Sequence, residues 1–83
     1  EEAWQIFVDQ GYRCALSGDP LCFGSQTKCT ASLDRIDSTK GYVKGNLQWV
    51  YKKLNKMKWD LSNQLFIYLC KLIYHNLNNK LLL

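Results

Sequence analysis

The apolar positions change period several times along the chain, and each change marks an element. Trp4, Phe7 and Val8 fall at helical spacing, which predicts a short helix over Glu1 to Gln10. Glu1 and Glu2 suit the positive end of its dipole, and Gly11 is a natural stop because it takes the left-handed conformation cheaply. Tyr12 to Leu16 then reads as a short strand, and Ser17-Gly18-Asp19-Pro20 as a turn. Leu21 to Lys28 holds one Gly and several small polar residues, which predicts a loop. Ala31, Leu33 and Ile36 place a second strand over Ala31 to Asp37. Ser38 to Asn46 is a connecting loop, with Gly41 and Gly45 for its tight positions. Leu47 to Val50 is either a return strand, pairing antiparallel across that loop, or the entry to the next helix.

Val50, Leu54, Met57 and Leu61 follow at i, i+4, i+7 and i+11, the spacing of a buried helical stripe. Tyr51, Asn55, Lys58 and Trp59 share a neighbouring face, and Lys52, Lys53 and Lys56 make an electropositive side. Asp60 or Ser62 caps a final helix. Its wide apolar band, from Leu65 and Phe66 through Leu69, Leu72 and Ile73 to Leu77, is expected to pack across the rest and supply much of the core. Leu81 to Leu83 begin a contact either with further sequence or with this domain.

Composition narrows the picture without deciding it. The 83 residues make one small domain with limited core, the kind that leans on a metal, a disulfide or a host protein. The chain starts at Glu1 without Met and is expected to be a fragment of a larger polypeptide or complex. A net charge of +4 fits a polyanionic partner or simply a solvated basic surface. No signal peptide is visible and no apolar run has membrane-spanning length, so a cytoplasmic location without membrane partners is expected. The cysteines, Cys14, Cys22, Cys29 and Cys70, lack close Cys-x-x-Cys spacing. Buried free thiols are the first reading, and a structural zinc on Cys14, Cys22 and Cys29, with Cys70 as a fourth ligand, is the lesser alternative.

Chemistry concentrates between Ser32 and Lys58. Leu33-Asp34-Arg35-Ile36-Asp37 is followed by Gly41-Tyr42, by Gly45-Asn46 with Trp49-Val50 behind it, and by Asn55 and Lys58. Strand, glycine-bearing loop, strand and helix, with an acid on the first strand and an Asn on the helix, resemble the ββα-metal finger of the HNH endonucleases. The resemblance covers Cys14 to Lys58. It implies an α+β fold, a small ββα-metal finger with flanking N-terminal and C-terminal helices. It also implies roles: Asp34 as metal-binding acid, Asn46 as the Asn that fixes the loop, Asn55 as the metal ligand from the helix, and Lys58 as a basic residue holding backbone phosphate. Arg35 stands where that family has the His that acts as general base.

The chemistry behind the roles that the resemblance implies can be stated independently. One Mg²⁺ or Mn²⁺ held by few protein groups neutralises charge on the phosphate and helps the leaving oxygen. Asp34 and Asn55 offer a carboxylate and a carbonyl oxygen suited to such a hard cation. Arg35 cannot accept a proton at any working pH. Three readings stay open: Asp37 is the base, unless it only pairs with Arg35; a metal-activated water attacks while Arg35 stabilises charge; or catalysis has lapsed. His75, the single histidine, reads as a surface or helix-end residue. Trp49 reads as core, and Tyr51 as half-buried rather than stacked on bases. The expected function is therefore a divalent-metal-dependent endonuclease domain acting on DNA, with Asp34, Arg35, Asp37 and Asn46 in its machinery and Lys52, Lys56 and Lys58 on phosphate. The alternative is a lapsed module of the same descent that binds nucleic acid or a partner.

Overall fold

The computed structural model describes residues 2–23 and 30–81. Cys29, Leu82, Leu83 and most of the expected Leu21 to Lys28 loop lie outside them. The element order is α1 (Glu2–Asp9), β1 (Ala31–Arg35), β2 (Leu47–Tyr51), α2 (Lys52–Lys58) and α3 (Asn63–Leu81). The fold is α+β, with a two-stranded antiparallel sheet and three helices among the described residues. None of these helices is long and apolar enough to cross a membrane.

α1 turns over at Gly11 and Tyr12, both in the left-handed region with φ of 68° and 62°. Gly11 adopts that conformation freely, whereas Tyr12 is held in it by a hydrogen bond from its own N–H to Phe7 and by the Leu21 N–H donating to its carbonyl. The expected strand over Tyr12 to Leu16 does not form. Only an isolated bridge joins Arg13 to Pro20, because Ser17 and Gly18 fold the chain back onto Cys14 before a ladder can extend.

β1 and β2 pair with Asp34 opposite Gln48 and Ser32 opposite Val50. β2 settles the open reading of Leu47 to Val50 in favour of a strand. β1 stops at Arg35, so Asp37 sits in the loop and not on a strand face. The core gathers Phe7, Cys14, Leu21, Ala31 and Val50, with Leu16, Trp49, Tyr51 and Leu54 packed against it. Trp49 meets Phe7 and Phe23 edge to face and donates its indole N–H to the Ala3 carbonyl at 2.6 Å. This arrangement stabilises through both ring contact and a satisfied polar tip.

The second helix and the last one differ from expectation. Val50 belongs to β2, and α2 spans just seven residues, so the Val50–Leu61 stripe is not one helical face. Leu54 is half-buried, but Met57 is 63% exposed. Ser62 caps α3, accepting at its hydroxyl from the Leu65 N–H at 3.2 Å and at its carbonyl from the Phe66 N–H. Beyond Phe66, which is buried, the apolar band of α3 faces outward: Leu65, Leu69, Leu72, Ile73 and Leu77 are all exposed. The helix buries little beyond its first turn, and the core is built instead from α1, the turn after it and the hairpin.

Candidate functional site

Three of the polar residues singled out in the sequence, Asp34, Asn55 and Lys58, collect along the seam between β1 and α2. Ser32 and Asp34 point to one face of β1, since side chains alternate along a strand. The register sets Val50 and Gln48 beside them on β2. α2 lies along that face and presents Asn55 and Lys58, one turn apart. The Asn55 side-chain amide donates to the Ser32 hydroxyl at 2.6 Å. The Lys58 ammonium donates to Asp34 Oδ2 at 2.6 Å and to the Arg35 carbonyl at 2.5 Å. Gln48 donates to the same Asp34 oxygen at 2.9 Å and exchanges amide hydrogen bonds with Asn63 at the start of α3. The result is a chain of polar groups from α3 through the sheet to α2.

Its burial is unusual. Asp34 is 5% exposed and Lys58 0%. Together with Gln48 and Asn46 they are the buried polar residues of the described part. The apolar residues Leu33, Leu47 and Trp49 are only half-buried. A domain this small would gain more from apolar side chains at its most buried sheet positions, since an ion pair taken out of water recovers little net energy. Functional sites are where local rules of this kind are broken.

Lys58 is thus not on the surface expected of a phosphate ligand. It is swallowed because α2 ends there, at a Trp59 with φ of 56°, and its stem runs inward to Asp34, the one buried carboxylate among the described residues. Lys52 and Lys56 are exposed, as is Lys53. Asp34 and Asn55 face the same seam with different partners. Each keeps one side-chain oxygen, Oδ1, that accepts no hydrogen bond among the described residues. Asn55 and Ser32 are half-buried, so the seam is open to solvent on their side.

The loop from Ile36 to Asn46 is held by Asn46, which is 5% exposed. Its amide oxygen accepts from the Asp37 N–H at 2.9 Å, and its amide nitrogen donates to the Asp37 and Gly41 carbonyls at 3.0 and 2.8 Å. Gly45, at φ 87°, makes the turn that aims Asn46 inward. Asp37 accepts from both the hydroxyl and the N–H of Thr39, at 2.6 and 2.9 Å. Those two bonds, the hydroxyl's first, hold its carboxyl below the usual carboxylate range. Arg35 does not pair with Asp37. Its guanidinium donates to the Ser38 and Lys40 carbonyls and lies 5.3 Å from the centre of the Tyr42 ring.

The remaining candidates lie elsewhere. His75 is exposed on α3, against the Tyr74 ring. Trp59 is 80% exposed. Cys14 is buried, while Cys22 and Cys70 are exposed. Burial opposes the Cys14 thiolate, but hydrogen bonds from Ser17 and Tyr51 outweigh it and lower the thiol's pKa. No group of three His, Cys, Asp or Glu side chains is close enough to hold a metal among the described residues. Asp34 with an amide oxygen is a different donor set.

Sequence reasoning assigned no role to Gln48, Asn63 or Ser32. For Gln48 a signal existed: it lies two residues before Val50, on the same strand face as a core residue. Compared with known proteins, the chain matches no family model, no curated protein and no solved structure.

Proposed function

We propose that the chain is a divalent-metal-dependent nuclease domain of HNH type that cleaves phosphodiester bonds in DNA, with its site on the β1–α2 seam. The observation that carries this reading is the seam itself. A carboxylate and an amide, each with an uncommitted oxygen, are aligned by a strand and a helix, next to a loop clamped by Asn46. The donor set fits Mg²⁺ or Mn²⁺, which favour oxygen ligands and keep several waters. Asp34 and Asn55 would hold the ion, which would supply charge neutralisation on the phosphate and on the leaving oxygen.

The chain's own residues divide the other tasks. Exposed Lys52 and Lys56, on the helix that carries Asn55, hold backbone phosphates. Arg35 stays protonated and is fixed by two loop carbonyls and a ring, so it stabilises negative charge and does not move a proton. Asp37 is a poor base, because Thr39 stabilises its ionised form. Asn46 keeps in one conformation the loop that carries Asp37 and the two carbonyls that hold Arg35.

One observation favours a second reading. Asp34 already has a cation, the Lys58 ammonium, and the usual base is replaced by Arg35. A lapsed module that only binds nucleic acid or a partner has the same geometry. A plasmid-nicking assay separates the two, run on the full chain with Mg²⁺, Mn²⁺ or EDTA, beside Asn55→Ala and Asp34→Asn. The nuclease reading expects nicking that needs metal and is lost in both variants. DNA binding without nicking at any metal concentration supports the lapsed module. Undiminished nicking by Asn55→Ala rules out the seam as the site.

A further inference from the structure

We infer that Lys58 is a built-in counter-cation, which a divalent ion must displace from Asp34 before the site is loaded. The inference rests on the proposed metal site at Asp34 and Asn55, and adds how that site is regulated. The Asp34 carboxylate is almost wholly buried, and a buried carboxylate without a partner is strongly destabilising. The ammonium of Lys58 meets that need, at 2.6 Å from Oδ2 with no solvent exposure. It therefore stands where a metal would draw its largest electrostatic gain. An ion arriving at the carboxylate would meet a positive charge a few ångströms away in a poorly screened interior, where repulsion is far stronger than in water.

The geometry allows exchange. Lys58 is the last residue of α2, and Trp59 and Asp60 after it are exposed. A four-carbon stem at a helix end can swing its ammonium outward without unravelling the helix. Its second acceptor, the Arg35 carbonyl, is a neutral group that gives up an ammonium at less cost than a carboxylate does. Metal loading is then a competition between an internal monovalent charge and an external divalent one. Metal affinity is held down while the bare domain stays folded without metal.

Mn²⁺ binding to the parent, Lys58→Gln and Lys58→Met, followed by electron paramagnetic resonance without nucleic acid, tests this. Gln keeps a donor for Asp34 without the charge, and Met removes both. The expected result is Mn²⁺ affinity about tenfold or more tighter in both variants than in the parent, lost again when Asp34→Asn is added. Equal or weaker affinity in the variants, with the parent still binding Mn²⁺ through Asp34, overturns the counter-cation and leaves the metal site standing. No Mn²⁺ bound by any of the three proteins removes the metal site and this inference with it. Should either variant be unfolded without metal, circular dichroism during Mn²⁺ titration decides: folding driven by the metal supports displacement, and a chain that metal does not fold overturns it.

Discussion

Replacing Asp34 by Ala should damage the fold before it damages any chemistry. The substitution strips the partner from an ammonium with no exposure to water, leaving it only the Arg35 carbonyl. Breaking a buried pair by removing one member costs about 3–5 kcal/mol. Gln48 loses one of the two acceptors of its amide as well, keeping Asn63, which adds up to about 1 kcal/mol. A small domain has only about 5–15 kcal/mol in total, and a chain of this size sits near the lower end. Asp34→Ala should therefore be close to unfolded at room temperature. Adding Lys58→Met removes the stranded charge, so the double variant should be more stable than Asp34→Ala alone, with a coupling energy of about 2 kcal/mol or more. Urea unfolding followed by circular dichroism and by fluorescence of the half-buried Trp49 measures all four corners of the cycle. A cost below about 1 kcal/mol for Asp34→Ala, or strictly additive variants, would refute the buried pair. It follows that Asp34→Asn, which keeps an acceptor, is the substitution to use for testing activity.

Three other outcomes are expected. Asn46→Ala should cost about 1–3 kcal/mol in urea unfolding and speed hydrogen exchange at the Asp37 amide, because it strands that N–H and takes one of two donors from the Asp37 and Gly41 carbonyls; an unchanged exchange rate contradicts the clamp. Lys52→Gln with Lys56→Gln should weaken DNA binding about equally for all sequences and reduce the salt slope by about two, whereas an unaltered slope would put the phosphates elsewhere. The carboxyl of Asp37 is more acidic in the folded chain than in the unfolded one, so its contribution is present above the unfolded pKa and is lost as pH falls through the lower folded one. Asp37→Asn should then flatten the loss of stability below the usual carboxylate range, read from urea midpoints against pH; an acid limb identical to the parent's would show that the Thr39 bonds contribute nothing.

The hairpin and its loop were legible because local rules govern them. Apolar composition placed β1 to within two residues and left β2 open between a strand and the entry to the next helix, and Gly45 marked a turn that needs a positive φ. Ser62 was readable as a cap, and Gly11 as a stop, for the same local reason. The fate of the last helix was not readable. Apolar spacing states which face of a helix is sticky, not what covers it, and α3 buries no apolar side chain after Phe66 among the described residues. Lys58 was misread for a related reason. A lysine on a lysine-rich helix is solvated by default, and only the three-dimensional meeting of the end of α2 with Asp34 makes it internal. The Tyr12 to Leu16 segment has strand-like composition, but the tight return at Ser17 and Gly18 leaves no room for a ladder.

In the proposed function, one divalent ion binds between Asp34 and Asn55. The most direct test of that binding is an amide-resolved NMR titration of the full chain with Mn²⁺, which broadens resonances near the bound ion. Early, selective loss of the Asn55 side-chain amide and of backbone signals at Asp34 and Arg35 is expected, reversed by EDTA and absent in Asp34→Asn. Broadening centred on exposed acids such as Asp9, Asp19 or Asp60, with Asn55 untouched, would contradict it.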